Sequence, residues 1–269
     1  MTTLQHVDTP LGTLAYRVEG EGKGLPLLLC QRFRGTQDDW DPAFLAPLVA
    51  GRQVIRFDNA GIGASGGTVP ESLDGMAEVV VALLDALGLE KVDLLGWSLG
   101  GFVAQHVALK VPARIRRLVI AGSGPGGVSE GPAPHPRVRE VMAHPVNGED
   151  DFLFLFFADS DTSRAAGRAY LERLAAVPDR VPVVTGPAFV GQLKAIGASP
   201  GVRDRLAQLA MPVLVANGVH DAMIPAYRSY VIASEAPDAK LILYPNSGHA
   251  FLFQYAEDFA AEVARFLDA

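Results

Sequence analysis

Residues 96–100 read Gly-Trp-Ser-Leu-Gly and stand between two apolar segments of different character. The preceding segment, 91–95, has the composition of a short buried strand, and the following one, 101–109, that of an apolar helix. A serine placed between two glycines at such a junction is typical of a nucleophile elbow. The turn is so sharp that the serine takes a strained backbone conformation, and the glycines remove Cβ atoms that would collide. The alternative interpretation of Ser98 is an ordinary helix-capping residue.

The segments around the elbow indicate an α/β fold. Short apolar or alternating runs that are typical of strands lie at 11–18, 26–30, 54–57, 117–122, 212–218 and 240–244. Apolar residues at helical spacing mark 72–87 and 256–267. Strands that alternate with helices predict a mostly parallel central sheet flanked by helices on both faces.

This alternation stops after residue 123. The next residues, to 136, are rich in glycine and proline, and 136–209 shows helical periodicity without a convincing strand. The β-like stretch 181–184 contains Pro182, which argues against a strand. We therefore expect a helical cap at 124–205, inserted into a core made of 1–123 and 206–269. Such a cap would cover the edge of the sheet where open α/β sheets bind ligands.

Composition limits the partners and the compartment. The formal net charge of −7 argues against nucleic acid or an anionic membrane. The apolar run 152–157 is too short to span a bilayer, and residues 1–6 lack the regions of a signal peptide. Cys30 is the single cysteine, so it forms no internal disulfide. We expect a cytoplasmic protein without a membrane partner, and the oligomeric state stays open, with a homodimer among the alternatives.

Two further loops supply the partners that a serine nucleophile needs. A serine hydroxyl is a weak nucleophile at neutral pH, and it needs a base that is oriented by a carboxylate. Asp221 follows the strand predicted at 212–218, and His249 follows the one at 240–244. Both therefore lie at the same sheet end as Ser98, in the chain order serine, acid, histidine. We predict that Ser98, Asp221 and His249 form a catalytic triad.

The chain resembles the α/β-hydrolase superfamily over nearly its full length. Four motifs carry this resemblance: Asp-Asn-Ala-Gly-Ile-Gly-Ala-Ser at 58–65, the elbow, the loop around Asp221, and Ser-Gly-His at 247–249. Within the superfamily it looks like small cofactor-free esterases, lactonases and haloperoxidase-like enzymes with a helical cap. The resemblance implies that no cofactor is needed. The serine at the elbow argues against haloalkane dehalogenases and epoxide hydrolases, which carry aspartate there.

The loop after the early strand departs from the usual pattern of relatives. Relatives carry His-Gly and then an apolar residue, whereas this chain has Gln-Arg-Phe-Arg-Gly at 31–35. An oxyanion hole needs two backbone N–H groups. We predict that Leu99 supplies one and, by position, Phe33 the other. Arg32 and Arg34 either face the site, where they would favour an acidic substrate, or are solvated loop residues.

The remaining candidates concern the pocket and the other histidines. Aromatic and aliphatic residues near the triad, and within the cap run 152–157, are predicted pocket walls: Trp97, Phe154, Phe156, Phe157, Ile224 and Phe251. The run also fits a simpler role, packing the cap onto the core. His220 beside Asp221 is assigned a loop role. The histidine and cysteine spacing predicts no metal site.

These features predict a serine hydrolase that cleaves small hydrophobic carboxylic esters or lactones through an acyl-enzyme. One alternative uses the same triad to hydrolyse a carbon–carbon bond or to carry out perhydrolysis. Another is a receptor that keeps the fold with little turnover, because a fold alone does not determine function.

Overall fold

The computed structural model describes residues 2–22, 24–181 and 184–269. Residues 182 and 183 of the β-like stretch therefore lie outside the described residues. Eight strands form one sheet in the order β1-β2-β4-β3-β5-β6-β7-β8. The strands are β1 (Gln5–Thr9), β2 (Gly12–Glu19), β3 (Leu27–Cys30), β4 (Val54–Phe57), β5 (Val92–Trp97), β6 (Ile115–Ala121), β7 (Val213–Gly218) and β8 (Ala239–Tyr244).

The sheet is mostly parallel, as the sequence predicts. β2 runs antiparallel to both β1 and β4, and every other neighbouring pair of strands is parallel. The parallel strands end at a common edge, so β3, β5, β6, β7 and β8 all deliver their following loops to the same side. Each of the five loops contributes to the site described below.

The α-helices flank the sheet, and four of those described lie between β6 and β7. Their bounds are α1 (Pro42–Val49), α2 (Leu73–Ala86), α3 (Leu99–Lys110), α4 (Val138–Met142), α5 (Glu149–Phe156), α6 (Asp161–Ala175), α7 (Gly186–Ala198), α8 (Ala226–Glu235), α9 (Phe251–Gln254) and α10 (Ala256–Asp268). α4 to α7 lie between β6 and β7, within the segment 124–205 that we call the cap segment. No helix in the described ranges is long and apolar enough to cross a membrane.

Alternate residues of the strands supply two separate cores, one on each face of the sheet. Leu28 and Cys30 of β3 point to the face that α2 and α3 cover, and Leu27 and Leu29 point to the other. The second core also takes in Phe156 and other cap residues, together with α1 and α10. The cap segment therefore shares an apolar core with the rest of the protein.

Carboxylates in the loop after β3 attach the cap segment to the core. Asp41 accepts hydrogen bonds from Arg173 of α6 at 2.8 and 2.5 Å, and Asp39 accepts one from Arg180 at 2.5 Å. Asp38 accepts one from the backbone N–H of Val181 at 2.9 Å. Because all three carboxylates are buried, these bonds to them are poorly screened by solvent and fix the cap on this side.

The elbow brings the first turn of α3 against the end of β3. A Cβ atom added at Gly100 would lie 2.0 Å from the carbonyl oxygen of Cys30, and one at Gly96 would lie 2.1 Å from that of Gly100. Both clashes involve backbone atoms, which cannot move without displacing a central strand. The glycines on either side of Ser98 are therefore required by close backbone approach, as the sequence motif predicts.

We expect Gly100→Ala to destabilise the protein by about 3 kcal/mol or more, because the new methyl group overlaps a backbone carbonyl of β3. Gly197→Ala in α7 is the matched control, since a Cβ there meets no atom within 4 Å. That change should leave stability unchanged or raise it by up to about 1 kcal/mol. Urea unfolding of both variants measures the difference, and equal midpoints would contradict the steric explanation.

Candidate active site

Ser98 has the backbone geometry of a nucleophile elbow. Its φ and ψ angles are 57° and −119°, outside the regions that L-residues favour. Its N–H donates to the carbonyl of Ala121 at 2.9 Å, and its own carbonyl accepts from Ser123 Oγ at 2.9 Å. The Ser98 side chain makes no capping hydrogen bond to α3. The alternative role of the Ser98 side chain as a helix cap is therefore absent. The Ser98 carbonyl also accepts from the N–H groups of Gly101 at 2.9 Å and Phe102 at 3.3 Å. The Leu99 N–H has no acceptor among the described residues.

His249 and Asp221 form a completely buried pair. Nδ1 of His249 lies 2.6 Å from Oδ2 of Asp221, and neither side chain is exposed to solvent. The other carboxylate oxygen, Oδ1, accepts from the backbone N–H groups of Met223 and Ile224, each at 2.8 Å. Because a carboxylate only accepts, Nδ1 carries the proton in neutral His249 and Nε2 has a free lone pair. That Nε2 is buried and has no hydrogen-bond partner among the described residues.

Contacts with the elbow strand hold His249 beside Ser98. The indole N–H of Trp97, the residue before Ser98, donates to the His249 carbonyl at 3.0 Å. The two rings lie 5.8 Å apart, centre to centre. On the other side, a Cβ at Gly122 would come within 3.3 Å of His249 Nδ1, so a larger residue after β6 would press on the imidazole. The loops after β5, β6 and β8 thus converge on one imidazole.

The other histidines lie away from this pair. His220 is exposed, and its backbone N–H donates to the Ser247 carbonyl at 2.9 Å. His106 of α3 is buried and pairs with Asp74 of α2 at 2.8 Å. In the cap segment, His144 pairs with Asp151 at 2.7 Å. None of the three contributes to the Asp221–His249 pair, in agreement with the loop role that the sequence assigns to His220.

The loop after β3 places a free N–H group opposite α3. Neither the Phe33 N–H nor the Leu99 N–H has an acceptor within the part of the chain that the structure describes. Gln31 supports this loop from within, since its Oε1 accepts from the Arg32 N–H at 2.8 Å and its Nε2 donates to the Thr36 carbonyl at 3.0 Å. Two unsatisfied backbone donors beside an elbow serine are what an oxyanion hole requires.

Arg32 points into the site rather than into solvent. Its side chain is only 11% exposed. The guanidinium carbon lies 5.6 Å from the ring centre of Trp97, 5.9 Å from that of Phe152 and 5.1 Å from that of Phe156. The solvated-loop interpretation that the sequence left open does not describe this residue.

Arg34, by contrast, is bound to the cap segment. Its backbone N–H donates to Gln192 of α7 at 3.0 Å, and its guanidinium stacks on Phe189 at 5.1 Å. The same guanidinium donates to four oxygens of the segment after α4, those of Met142, His144, Pro145 and Asn147. Arg34 therefore fixes the 142–147 segment over the site.

A cavity of about 270 Å³ opens beside Ser98. Its walls come from the loop after β3, the 142–147 segment, α5 and the loop after β7; they are Arg32, Phe33, Arg34, Ser98, Met142, Pro145, Val146, Asn147, Phe152, Leu155, Phe156, Val184 and Met223. Of the six wall residues that the sequence predicts, Phe156 lines this cavity. Phe152, Leu155 and Met223 are apolar wall residues that the sequence analysis does not predict.

The remaining five predicted wall residues lie elsewhere for identifiable reasons. Trp97 and Phe251 are completely buried in the second core. Phe154 and Phe157 line a separate groove of the cap segment beside His220. Ile224 uses its backbone N–H to hold Asp221. The run 152–157 is helical, so residues four apart, Phe152 and Phe156, share the face that meets the cavity.

Asp58, which begins the 58–65 motif, binds backbone N–H groups of two loops. It accepts from the N–H groups of Gln37 at 2.7 Å and Ala64 at 3.0 Å. Burial raises its pKa to about 6, against the opposing effect of these hydrogen bonds. Asp58 thereby joins the loop after β4 to the loop after β3, and it belongs to the support of the site.

Comparison with known proteins agrees with this geometry. The model of the alpha/beta hydrolase family matches residues 33–262. An alpha/beta hydrolase fold protein from Chitinophaga pinensis is 35% identical, covers 100% of this chain and 98% of its own, and has a TM-score of 0.92. A hydrolase from Pseudomonas aeruginosa is 29% identical with a TM-score of 0.80, and 99% of each chain is covered.

A curated relative from Nitrosomonas europaea, the pimeloyl-[acyl-carrier protein] methyl ester esterase, is 27% identical over 91% of this chain and 96% of its own. Since the family model covers most of the sequence, the chain belongs to the alpha/beta hydrolase family.

We expect Arg34→Gln to loosen the cap segment over the site. The shorter side chain loses the guanidinium bonds to the 142–147 segment, and stability should fall by about 1–3 kcal/mol. Limited proteolysis with mass spectrometry should show faster cleavage within 142–147.

The control is Arg168→Gln in α6, which removes one exposed ion pair with Glu149 of α5. This variant should be cleaved at the wild-type rate. Equal cleavage of the two variants would mean that Arg34 does not hold the segment.

Proposed function

We propose that the protein is a serine hydrolase that cleaves small carboxylic esters or lactones through an acyl-enzyme. The observation that carries this proposal is the buried His249–Asp221 pair at 2.6 Å, whose Nε2 is free and whose imidazole is held against Trp97, the residue before the strained Ser98. A buried imidazole with one nitrogen fixed by a carboxylate and the other free has the arrangement of a general base.

In the proposed reaction, Ser98 Oγ attacks the ester carbonyl carbon while His249 Nε2 accepts the hydroxyl proton. Asp221 keeps the imidazole in the required tautomer and stabilises the imidazolium that forms. The N–H groups of Phe33 and Leu99 bind the oxyanion of the tetrahedral intermediate. The imidazolium then gives its proton to the leaving alcohol. Water repeats the sequence on the acyl-enzyme and releases the acid.

The cavity supports a small substrate. Its volume of about 270 Å³ falls just below the range of roughly 300–1,000 Å³ for typical small-molecule pockets. The apolar walls from α5 and Met223 suit short hydrocarbon groups. The Nitrosomonas relative acts, by its name, on a methyl ester, which is consistent with ester hydrolysis here.

We expect Ser98→Ala to abolish ester hydrolysis with the fold intact. Loss of a triad nucleophile costs on the order of 10⁶ in kcat, because no other group at the elbow can form the acyl-enzyme. Wild-type protein should show a burst of p-nitrophenol and covalent labelling by a fluorophosphonate, and the variant should show neither at unchanged circular dichroism.

His249→Ala should be as inactive as Ser98→Ala, whereas the control His220→Ala should keep most of the activity, because His220 is exposed and outside the buried pair. Labelling of Ser98→Ala at the wild-type rate would place the nucleophile elsewhere. Saturable ligand binding by wild-type protein without turnover would favour the receptor alternative.

We expect Phe156→Ala to widen the acyl preference. The ring lines the cavity, so its removal should favour longer acyl groups over acetate by about 1–3 kcal/mol in kcat/KM. The matched control is Phe154→Ala, two residues away and facing the other groove, which should keep the wild-type profile. Kinetics over p-nitrophenyl esters of increasing chain length provide the measurement. Identical profiles for both variants would show that α5 does not set substrate size.

A further inference from the structure

The charges on the cavity wall are unbalanced. Two arginines, Arg32 and Arg34, line the cavity, and its described lining residues include no aspartate or glutamate. An electropositive cavity inside a protein of net charge −7 points to a ligand with negative charge, since buried charges in proteins are normally paired.

The two arginines differ in how many of their N–H donors the protein already uses. The Arg34 guanidinium already donates to four oxygens of the 142–147 segment. The Arg32 guanidinium donates from Nη1 to the Phe33 carbonyl at 2.9 Å, while its Nε is buried without a partner in the described ranges. A guanidinium carries five N–H donors, so most of those on Arg32 are unused.

Asp39 forms an ion pair with Arg32 but no hydrogen bond, so it leaves the N–H donors of Arg32 free. The closest oxygen of its carboxylate, Oδ2, is 3.6 Å from Arg32 Nη2, beyond hydrogen-bond distance. That oxygen accepts from the Thr36 N–H at 2.8 Å, and Oδ1 accepts from Arg180 at 2.5 Å. The carboxylate of Asp39 is thus committed to the loop after β3 and to the cap segment.

The three rings around Arg32 pack against the guanidinium and hold it in place. Trp97, Phe152 and Phe156 all lie within 6 Å of its central carbon, a distance at which aromatic faces attract cations. They offer no hydrogen-bond acceptor, so they leave the N–H groups free. In such a low-dielectric setting an ion pair with a ligand is stronger than in water.

We propose that Arg32 binds a carboxylate of the substrate, and that the preferred substrate is an ester or lactone that also carries a free carboxylate. This inference rests on the proposed function and assigns its substrate class. Arg32 precedes Phe33, the proposed oxyanion donor, so one loop binds both the anionic group and the reacting carbonyl oxygen. The planar guanidinium suits a carboxylate because it can donate two parallel hydrogen bonds.

The test compares two isosteric esters, monomethyl glutarate and the methyl ester of glutaramic acid, in a pH-stat assay. They differ only in a terminal carboxylate or amide. Wild-type protein should prefer the carboxylate by roughly 10- to 100-fold in kcat/KM, the range of a charge-assisted hydrogen bond. The monomethyl esters of succinic and adipic acid then report the spacing between the two groups.

In Arg32→Met, kcat/KM should fall more for the carboxylate ester than for the amide ester, and the two esters should then be hydrolysed within about threefold of each other, a small energy difference. Arg32→Lys should retain part of the preference, because lysine keeps the positive charge but cannot donate two parallel hydrogen bonds to a carboxylate. The control Arg168→Gln removes an exposed cap arginine and should behave as wild type. Equal losses on both esters in Arg32→Met would show that Arg32 only positions the loop, and would overturn the proposal.

A second measurement needs no variant at Arg32. Pentanoate should bind wild-type protein at least about tenfold more tightly than pentanamide by calorimetry. Equal affinities would overturn the Arg32 assignment even if esters are hydrolysed. If no ester is hydrolysed but pentanoate binds preferentially, the proposed function fails and the anion site stands.

Discussion

The contact between the start of α3 and the last carbonyl of β3 determines the geometry of the whole site. It places the loop after β3 against the first turn of α3, where the N–H groups of Phe33 and Leu99, the proposed oxyanion donors, have no acceptor among the described residues. Only glycine fits at position 100 in this contact, because a Cβ atom there would overlap the Cys30 carbonyl. Ser98 is held at φ 57° by two hydrogen bonds, one to the Ala121 carbonyl and one from the Ser123 hydroxyl. These bonds to the end of β6, together with the contact of α3 with β3, offset the backbone strain at Ser98.

Arg32 and Arg34 are two residues apart in the chain but contact different parts of the protein, because the backbone turns at Arg34. Arg34 has a φ of 56°, an unusual conformation for a residue with a long side chain. The cost of that conformation is offset by its hydrogen bonds to Gln192 and to the 142–147 segment. The turn sends Arg34 outward to the cap segment and leaves Arg32 against the aromatic rings of the cavity. Residues 31–35 thus carry Phe33, the proposed oxyanion donor, together with the cavity charge of Arg32 and the bonds of Arg34 to the cap segment.

Much of this architecture was predictable from local sequence, because strand composition and the spacing of apolar residues are local properties. The predicted strand at 54–57 and the helices at 72–87 and 256–267 agree with the structure to within one residue at each end. The pairing of His249 with Asp221 also follows from their positions after parallel strands. The cavity walls were not predictable, since they depend on the rotation of α5 about its axis. That rotation places Phe152 and Phe156 inward and Phe154 outward, and no pattern in this uniformly apolar run of phenylalanine and leucine specifies it.

The buried carboxylates of Asp38, Asp39 and Asp41 have a consequence for how such proteins can be recombined. Their partners in the cap, Arg173, Arg180 and the Val181 N–H, lie more than a hundred residues away in the chain. A cap segment exchanged for one without matching cations would deprive Asp41 of Arg173 and Asp39 of Arg180, at a penalty of several kcal/mol per ion. Asp38 would keep its ion pairs with Arg17 and Arg56 of the core. A chimera that exchanges the cap segment therefore has to exchange residues 39–41 with it.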